Sequence, residues 1–242
     1  MATQGGVLLL GDDEPQLRER AARLRELGFR TTRAKTAYDA LLLAQERGQR
    51  FRVVLLDAGL PVMDLRSALE ALRRRASDGR MELLATGARP EADALDGLRD
   101  AGVERALWDP ASDHLLRFEV NRALADAAAR RPRGELRAAT DWQTRIFVSG
   151  RAKRGAIYTF SAGGTFVSTA RPSMRGARLS VDLPLPSGQV QLAGRVVYAN
   201  VPGNLRRETL PLGMAIRFEE TTREQQQLLR EAAEACSARV LL

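Results

Sequence analysis

Gly6-Val7-Leu8-Leu9-Leu10-Gly11-Asp12-Asp13-Glu14-Pro15 decides how the first half of this 242-residue chain is read. A short apolar run closed by glycine and acidic residues predicts a strand buried on both faces, the habit of parallel sheets. Residues 15–27 follow with Leu17, Ala21, Leu24 and Leu27 at helical spacing, and Gly28 ends the segment. Working outward, Val53-Val54-Leu55-Leu56, Leu83-Leu84-Ala85 and a weaker run at 103–108 predict further strands. Helical spacing fills 38–47, 65–75, 91–101 and 115–129 between and after them. Repeated strand–helix units imply an α/β domain over residues 1–129, with a five-stranded, parallel, doubly wound sheet. Functional residues of such sheets collect at the carboxyl ends of the strands. Asp12 and Asp13, Asp57, Thr86 and Asp109 all fall there, and four of the five are carboxylates.

After Ala129 the pattern changes. Arg130, Arg131, Pro132, Arg133 and Gly134 break the helical spacing. Alternating segments follow at 144–148, 156–160, 165–167, 177–183, 190–198 and 214–218, separated by Gly, Pro, Ser and Asn. They predict an antiparallel β-barrel or sandwich over residues 130–242. Residues 221–235 predict a C-terminal helix capped by Thr221 or Thr222, with Leu228, Leu229, Ala232 and Ala235 as its apolar stripe. That stripe is expected to pack on the module's own sheet; the alternative is a homodimer or partner surface.

Charge divides the chain at the same place. The formal charge is +8, yet residues 1–129 hold 20 basic and 21 acidic side chains, while residues 130–242 hold 18 and 9. The excess sits wholly in the second half, which favours an anionic partner. Only Lys35 and Lys153 are lysines, a bias that genome composition alone also produces. The arginines cluster in a linker rather than along a helix, and no helix-turn-helix pattern is seen, so nucleic acid is not the expected partner.

A single cysteine, Cys236, excludes an internal disulfide, and with the single His114 it excludes a Cys/His zinc site. No P-loop or activated nucleophile is visible, and the chain is not expected to be an enzyme. No apolar run approaches the roughly 18–20 residues of a membrane span. The start, MATQGG, lacks a basic and an apolar region, so no signal peptide is expected and a cytoplasmic protein is.

Asp12-Asp13-Glu14-Pro15, Leu55-Leu56-Asp57 with Leu60-Pro61-Val62-Met63-Asp64, and Thr86 together resemble the receiver domain of bacterial response regulators. The resemblance covers about residues 5–129. It implies that Asp12, Asp13 and Asp57 hold Mg2+ and that Asp57 accepts a phosphoryl group, chemistry suited to hard carboxylate oxygens around a divalent cation. The fifth strand departs from the family. Asp109 stands where the family has a lysine that pairs with the phosphoryl group, Ala106 where it has a switch aromatic, and Gly87 follows Thr86 in place of alanine. A unit charge pair at ~4 Å and an effective dielectric near 20 is worth roughly 4 kcal/mol, so this reversal is severe. The first half therefore reads as a pseudo-receiver in a two-component setting, with Asp57 its only phosphoacceptor candidate.

The second half resembles the PilZ domain, the bacterial module that binds cyclic di-GMP. Arg133-Gly134-Glu135-Leu136-Arg137 has the family's R-x-x-x-R spacing after Arg130 and Arg131, and Thr159-Phe160-Ser161-Ala162-Gly163-Gly164 stands in the place of its [D/N]-x-S-x-x-G. The resemblance covers about residues 130–236 and implies cyclic di-GMP as ligand, held by Arg130, Arg131, Arg133, Arg137, Thr159, Ser161 and Gly164. The physics suits a ligand with two phosphates and two guanines, because a guanidinium fork pairs with phosphate oxygens and with the guanine edge. Thr159 departs from the family's Asp or Asn. Losing a charge-assisted bond there costs roughly 1.5–3 kcal/mol, about one to two decades of affinity. Two readings stay open. One is a signalling adaptor that senses cyclic di-GMP and acts on motility or surface behaviour through protein partners. The other is a ligand-independent interaction module in which both chemistries are lost.

Overall fold

The computed structural model describes residues 6–45, 51–61, 65–75, 80–128 and 135–242. Two compact units divide the chain, Met1–Pro132 with Val240–Leu242, and Arg133–Arg239. The last three residues go with the first unit.

The first unit alternates β1 (Gly6–Leu10), α1 (Glu14–Glu26), β2 (Thr31–Ala34), α2 (Ala37–Gln45), β3 (Phe51–Asp57), α3 (Leu65–Arg75), β4 (Glu82–Gly87), α4 (Ala92–Asp100), β5 (Arg105–Trp108) and α5 (Asp113–Ala128). All strand pairs are parallel, in the order β2-β1-β3-β4-β5. This is the flavodoxin-like doubly wound order. The apolar runs are buried twice over. Leu8, Leu10, Val54 and Leu56 pack on one face with Leu65, Leu69 and Leu98, and Val7, Leu9, Val53 and Leu55 on the other with Leu17, Leu24, Leu116 and Val120. The edge strand β2 has no apolar run: Thr31 and Thr32 are half-buried and Arg33 is exposed. Its pairing to β1, Val7 opposite Thr31 through Leu10 opposite Ala34, comes from register rather than composition.

Charge enters this core at one point. Arg105 on β5, nearly buried, meets Glu82 at 2.9 Å, Glu119 at 3.3 Å and Asp126 at 3.7 Å. Burial pushes the Glu119 carboxyl above its ordinary range, while Arg122 and Arg105 pull it back. Beyond Arg105, β5 gains an antiparallel bridge to Leu241, the Leu242 amide donates to the Glu104 carbonyl, and Val240 is buried in the same core.

The second unit holds β6 (Ala138–Ala139), β7 (Gln143–Val148), β8 (Arg151–Ser161), β9 (Gly164–Ser168), β10 (Arg178–Leu185), β11 (Gly188–Asn200), β12 (Gly213–Phe218) and α6 (Arg223–Ser237). Strands β8-β7-β10-β11-β12-β9 run antiparallel, and β9 pairs back to β8, closing a six-stranded barrel with β6 laid on β8. Closure leaves no free edge within the barrel. Phe160, Ile146, Ile157, Val181, Leu183, Val196, Met214 and Ile216 fill it, and Leu229, Ala232 and Ala233 of α6 join the same core. The helix stripe thus packs on its own module, with Ala233 in place of the exposed Ala235. Thr222 is the cap. Its hydroxyl accepts from the Gln225 amide and the Gln225 side chain accepts from the Thr222 amide, a reciprocal capping box.

Candidate functional site

The acidic rim of the first unit is built at the ends of β1, β3, β4 and β5. Asp13 caps α1, its carboxylate accepting from the Gln16 amide at 3.1 Å, and Asp12 is exposed. Asp57 accepts from the Gly59 amide at 2.9 Å through one carboxylate oxygen. Its other oxygen faces Arg20, 3.5 Å away. Arg20 reaches in from α1 with its side chain only 12% exposed, donates to the Thr86 hydroxyl at 2.8 Å and pairs with Asp109 at 3.2 Å. One guanidinium therefore ties together the ends of β3, β4 and β5.

The cation facing Asp109 comes from the first helix. Thr86 is held on both sides, since its hydroxyl also donates to the Leu56 carbonyl at 3.2 Å. Gly87 belongs to this arrangement. Its φ of +118° is glycine territory, and a Cβ there would stand 3.4 Å from the Asp57 carboxylate. Ala106 is buried in the core with no ring to move. Asp12, Asp13 and Asp57 are the carboxylates expected around Mg2+. Among the described residues, no three acidic, imidazole or thiol groups are grouped to hold a metal ion. With Asp13 engaged by a helix amide and Asp57 by Arg20, the donor set does not suit a divalent cation.

In the second unit, two bulges shape the site. Between β8 and β9, Ile157 faces Val167 and Thr159 faces Phe166, leaving Tyr158 as the extra residue. Between β11 and β12, Val196 faces Ile216 and Tyr198 faces Ala215, leaving Val197 extra. Bulges bend a strand and re-aim its side chains, and both lie beside one cavity of about 570 Å³. Arg137, Thr159, Ser161 and Gly164 all line it. Arg130, Arg131 and Arg133 lie outside the described residues.

Three lining residues were not expected from sequence to take part: Arg217 from β12, Arg230 from α6 and Glu135 from the lead-in segment. Arg217 sits opposite Gly164 in the strand register, where facing side chains share a side of the sheet. The signal for Arg217 was its alternation with buried Ile216 and Phe218. Arg230 follows the buried Leu229 on the helix surface. Neither Arg137 nor Arg217 has an ion-pair partner among the described residues.

The Ser161-to-Gly164 hairpin turn is pinned by the Phe218 amide, which donates to the Gly163 carbonyl at 3.0 Å. Gly164 is required by the barrel itself, because a Cβ there would lie 2.5 Å from the Ile216 carbonyl oxygen. Tyr198 lines the cavity and carries Arg206 over its ring at 4.5 Å. The cavity volume is in the range of small-molecule sites, and its guanidinium groups, Arg137 and Arg217 without an ion-pair partner among the described residues, suit an anion.

Residues 131–235 match the family model described as the PilZ domain. No curated protein matches the chain. Among solved structures, a Burkholderia pseudomallei protein described as pilus assembly-related is 24% identical, covering 53% of this chain and 95% of its own, with a TM-score of 0.43. The chemotaxis protein CheY4 of Vibrio cholerae is 21% identical, covering 50% of this chain and 99% of its own, at a TM-score of 0.43. The signal receiver domain of an HD domain-containing protein from Pseudomonas fluorescens is 21% identical, covering 53% and 92%, at 0.45. The family match thus falls almost wholly within the second unit, while the first unit carries the doubly wound sheet β2-β1-β3-β4-β5.

Proposed function

We propose that the chain is a signalling adaptor whose PilZ domain binds cyclic di-GMP, and whose receiver-like unit works without metal or phosphoryl transfer. PilZ is a cyclic di-GMP-binding family, and the observation that carries the reading is the convergence of Arg137, Ser161 and Gly164 on one cavity. Arg137 would fork onto a phosphate or a guanine edge, and the Ser161 hydroxyl would donate to a phosphate oxygen. Thr159 lines the same cavity with one short hydroxyl, which supports a weaker grip than the family's Asp or Asn gives. In the first unit, Arg20 occupies Asp57, Thr86 and Asp109 together, which supports a rim that serves as structure. Motility or surface behaviour as the output, exerted through protein partners, rests on the PilZ family alone.

Calorimetric titration of the full chain with cyclic di-GMP tests the reading. Saturable 1:1 or 2:1 binding is expected, weakened about 10-fold to 100-fold by Arg137→Ala, the equivalent of roughly 1.5–3 kcal/mol for a bond to a charged group. No heat at high micromolar ligand, in the native chain and in Arg137→Ala alike, overturns it. The second reading, a ligand-independent interaction module, has one observation on its side: a carboxylate of the chain's own already sits on Ser161.

A further inference from the structure

The buried Ser161 hydroxyl, in the cavity lining, donates to a Glu135 carboxylate oxygen at 2.9 Å, with the Gly164 carbonyl a more distant acceptor at 3.4 Å. Both carboxylate oxygens of Glu135 come within 3.2 Å of where a Cβ on Gly163 would stand, so the carboxylate lies directly over the hairpin turn. An anion therefore already rests on the donor that a phosphate would use. Three arginines share the lining, yet none is within ion-pair distance of Glu135 among the described residues. Among the described residues, the carboxylate is held by one neutral hydroxyl. Arg137 and Arg217 have no ion-pair partner among the described residues, and Arg230 donates to the neighbouring Gln227. The cavity carries Arg137, Arg217 and Arg230 against Glu135, a formal charge of +2. That equals the charge of two phosphodiesters with opposite sign.

We infer that Glu135 is a resident occupant of the phosphate seat: its carboxylate holds the Ser161 hydroxyl in the empty cavity and must leave before a ligand phosphate lands there. The inference rests on the cyclic di-GMP reading above and adds a determinant of affinity to it. A phosphate on Ser161 cannot share the hydroxyl's single proton with the carboxylate. Two anions crowded at that turn also repel each other in a partly screened site. Glu135 thus weakens binding for every anionic ligand and sets a threshold that only a ligand engaging the arginines as well can pass. Its place within the lead-in segment, two residues before Arg137, makes the displaced carboxylate and the gripping guanidinium part of one stretch of chain.

Calorimetry on the full chain and its Glu135→Gln and Glu135→Ala variants tests this, with cyclic di-GMP and inorganic pyrophosphate as separate probes. Glu135→Gln keeps the shape and removes the charge. It is expected to bind cyclic di-GMP at least 5-fold more tightly than the native chain, with Glu135→Ala tighter or equal to it. If the dinucleotide binds the native chain and Glu135→Gln equally, or the variant more weakly, the resident-anion inference is overturned while the ligand reading stands. If the dinucleotide binds none of the three but pyrophosphate binds Glu135→Ala and not the native chain, the seat is as inferred and the ligand reading falls. Binding of neither probe by any of them overturns both.

Discussion

In the first unit, Arg20 reaches three acceptors at the ends of three strands; in the second, Glu135 reaches one donor in the lining of a cavity. Each is a charge supplied by the chain to a site whose surroundings suit a ligand of the same sign. They differ in how firmly they are held. Arg20 is mostly covered, projects from a helix and answers two carboxylates and a hydroxyl. Glu135 is exposed, lies in irregular chain and, among the described residues, answers one hydroxyl. The lesson is that a resident charge with several converging partners belongs to the fold, whereas one with a single neutral partner is replaceable by a ligand.

That contrast can be broken by stability measurements. Trp108 and Trp142, one in each unit, report the two unfolding transitions by fluorescence in urea. The largest effect is expected from Arg105→Ala, about 3–5 kcal/mol off the first unit, because it strands the buried Glu119 without its nearest cation. This variant sets the scale for a purely structural charge. Arg20→Ala is expected to cost the first unit about 2 kcal/mol, less because Asp109 is 46% exposed and water screens that arm. The same variant should gain a thermal shift in millimolar Mg2+ that the native chain lacks, since removing the guanidinium frees Asp57. An Arg20→Ala chain as stable as the native one would break the comparison from the structural side. Smallest of all, Glu135→Ala should move the second unit's transition by no more than about 0.5 kcal/mol, as for an exposed side chain. A larger loss would make Glu135 structural as well and erase the distinction.

Much of this was legible in the residues. Apolar runs gave β1, β3 and β4 because strands buried on both faces have no other composition open to them. The strand β2 was not legible, since Thr31-Thr32-Arg33-Ala34 is an edge whose identity comes from its neighbour. The two-residue β6 is too short for any pattern. The cavity's Arg137, Ser161 and Gly164 could be named through the resemblance to the PilZ motifs, but the bulges at Tyr158 and Val197 leave no mark in the alternation. Gly164, expected among the ligand-binding residues, lines the cavity and also gives room to the Ile216 carbonyl of a neighbouring strand. Arg20 was the hardest to see, one arginine among many. Its indirect signal was Asp109, because a further carboxylate at an acidic rim demands a cation from somewhere, and α1 offers Arg20 on the shoulder of its buried Leu17–Ala21 face.

The pairing of Leu241 with Arg105 has a practical meaning for anyone dissecting the chain. The first unit is discontinuous, made of two stretches more than a hundred residues apart in sequence. A recombinant fragment ending at Pro132 would bare the backbone of β5 and uncover the apolar pocket filled by Val240. Such a fragment invites strand-to-strand self-association, and its behaviour would describe the truncation rather than the domain. Comparisons of the two halves are therefore sounder by point substitution in the intact polypeptide.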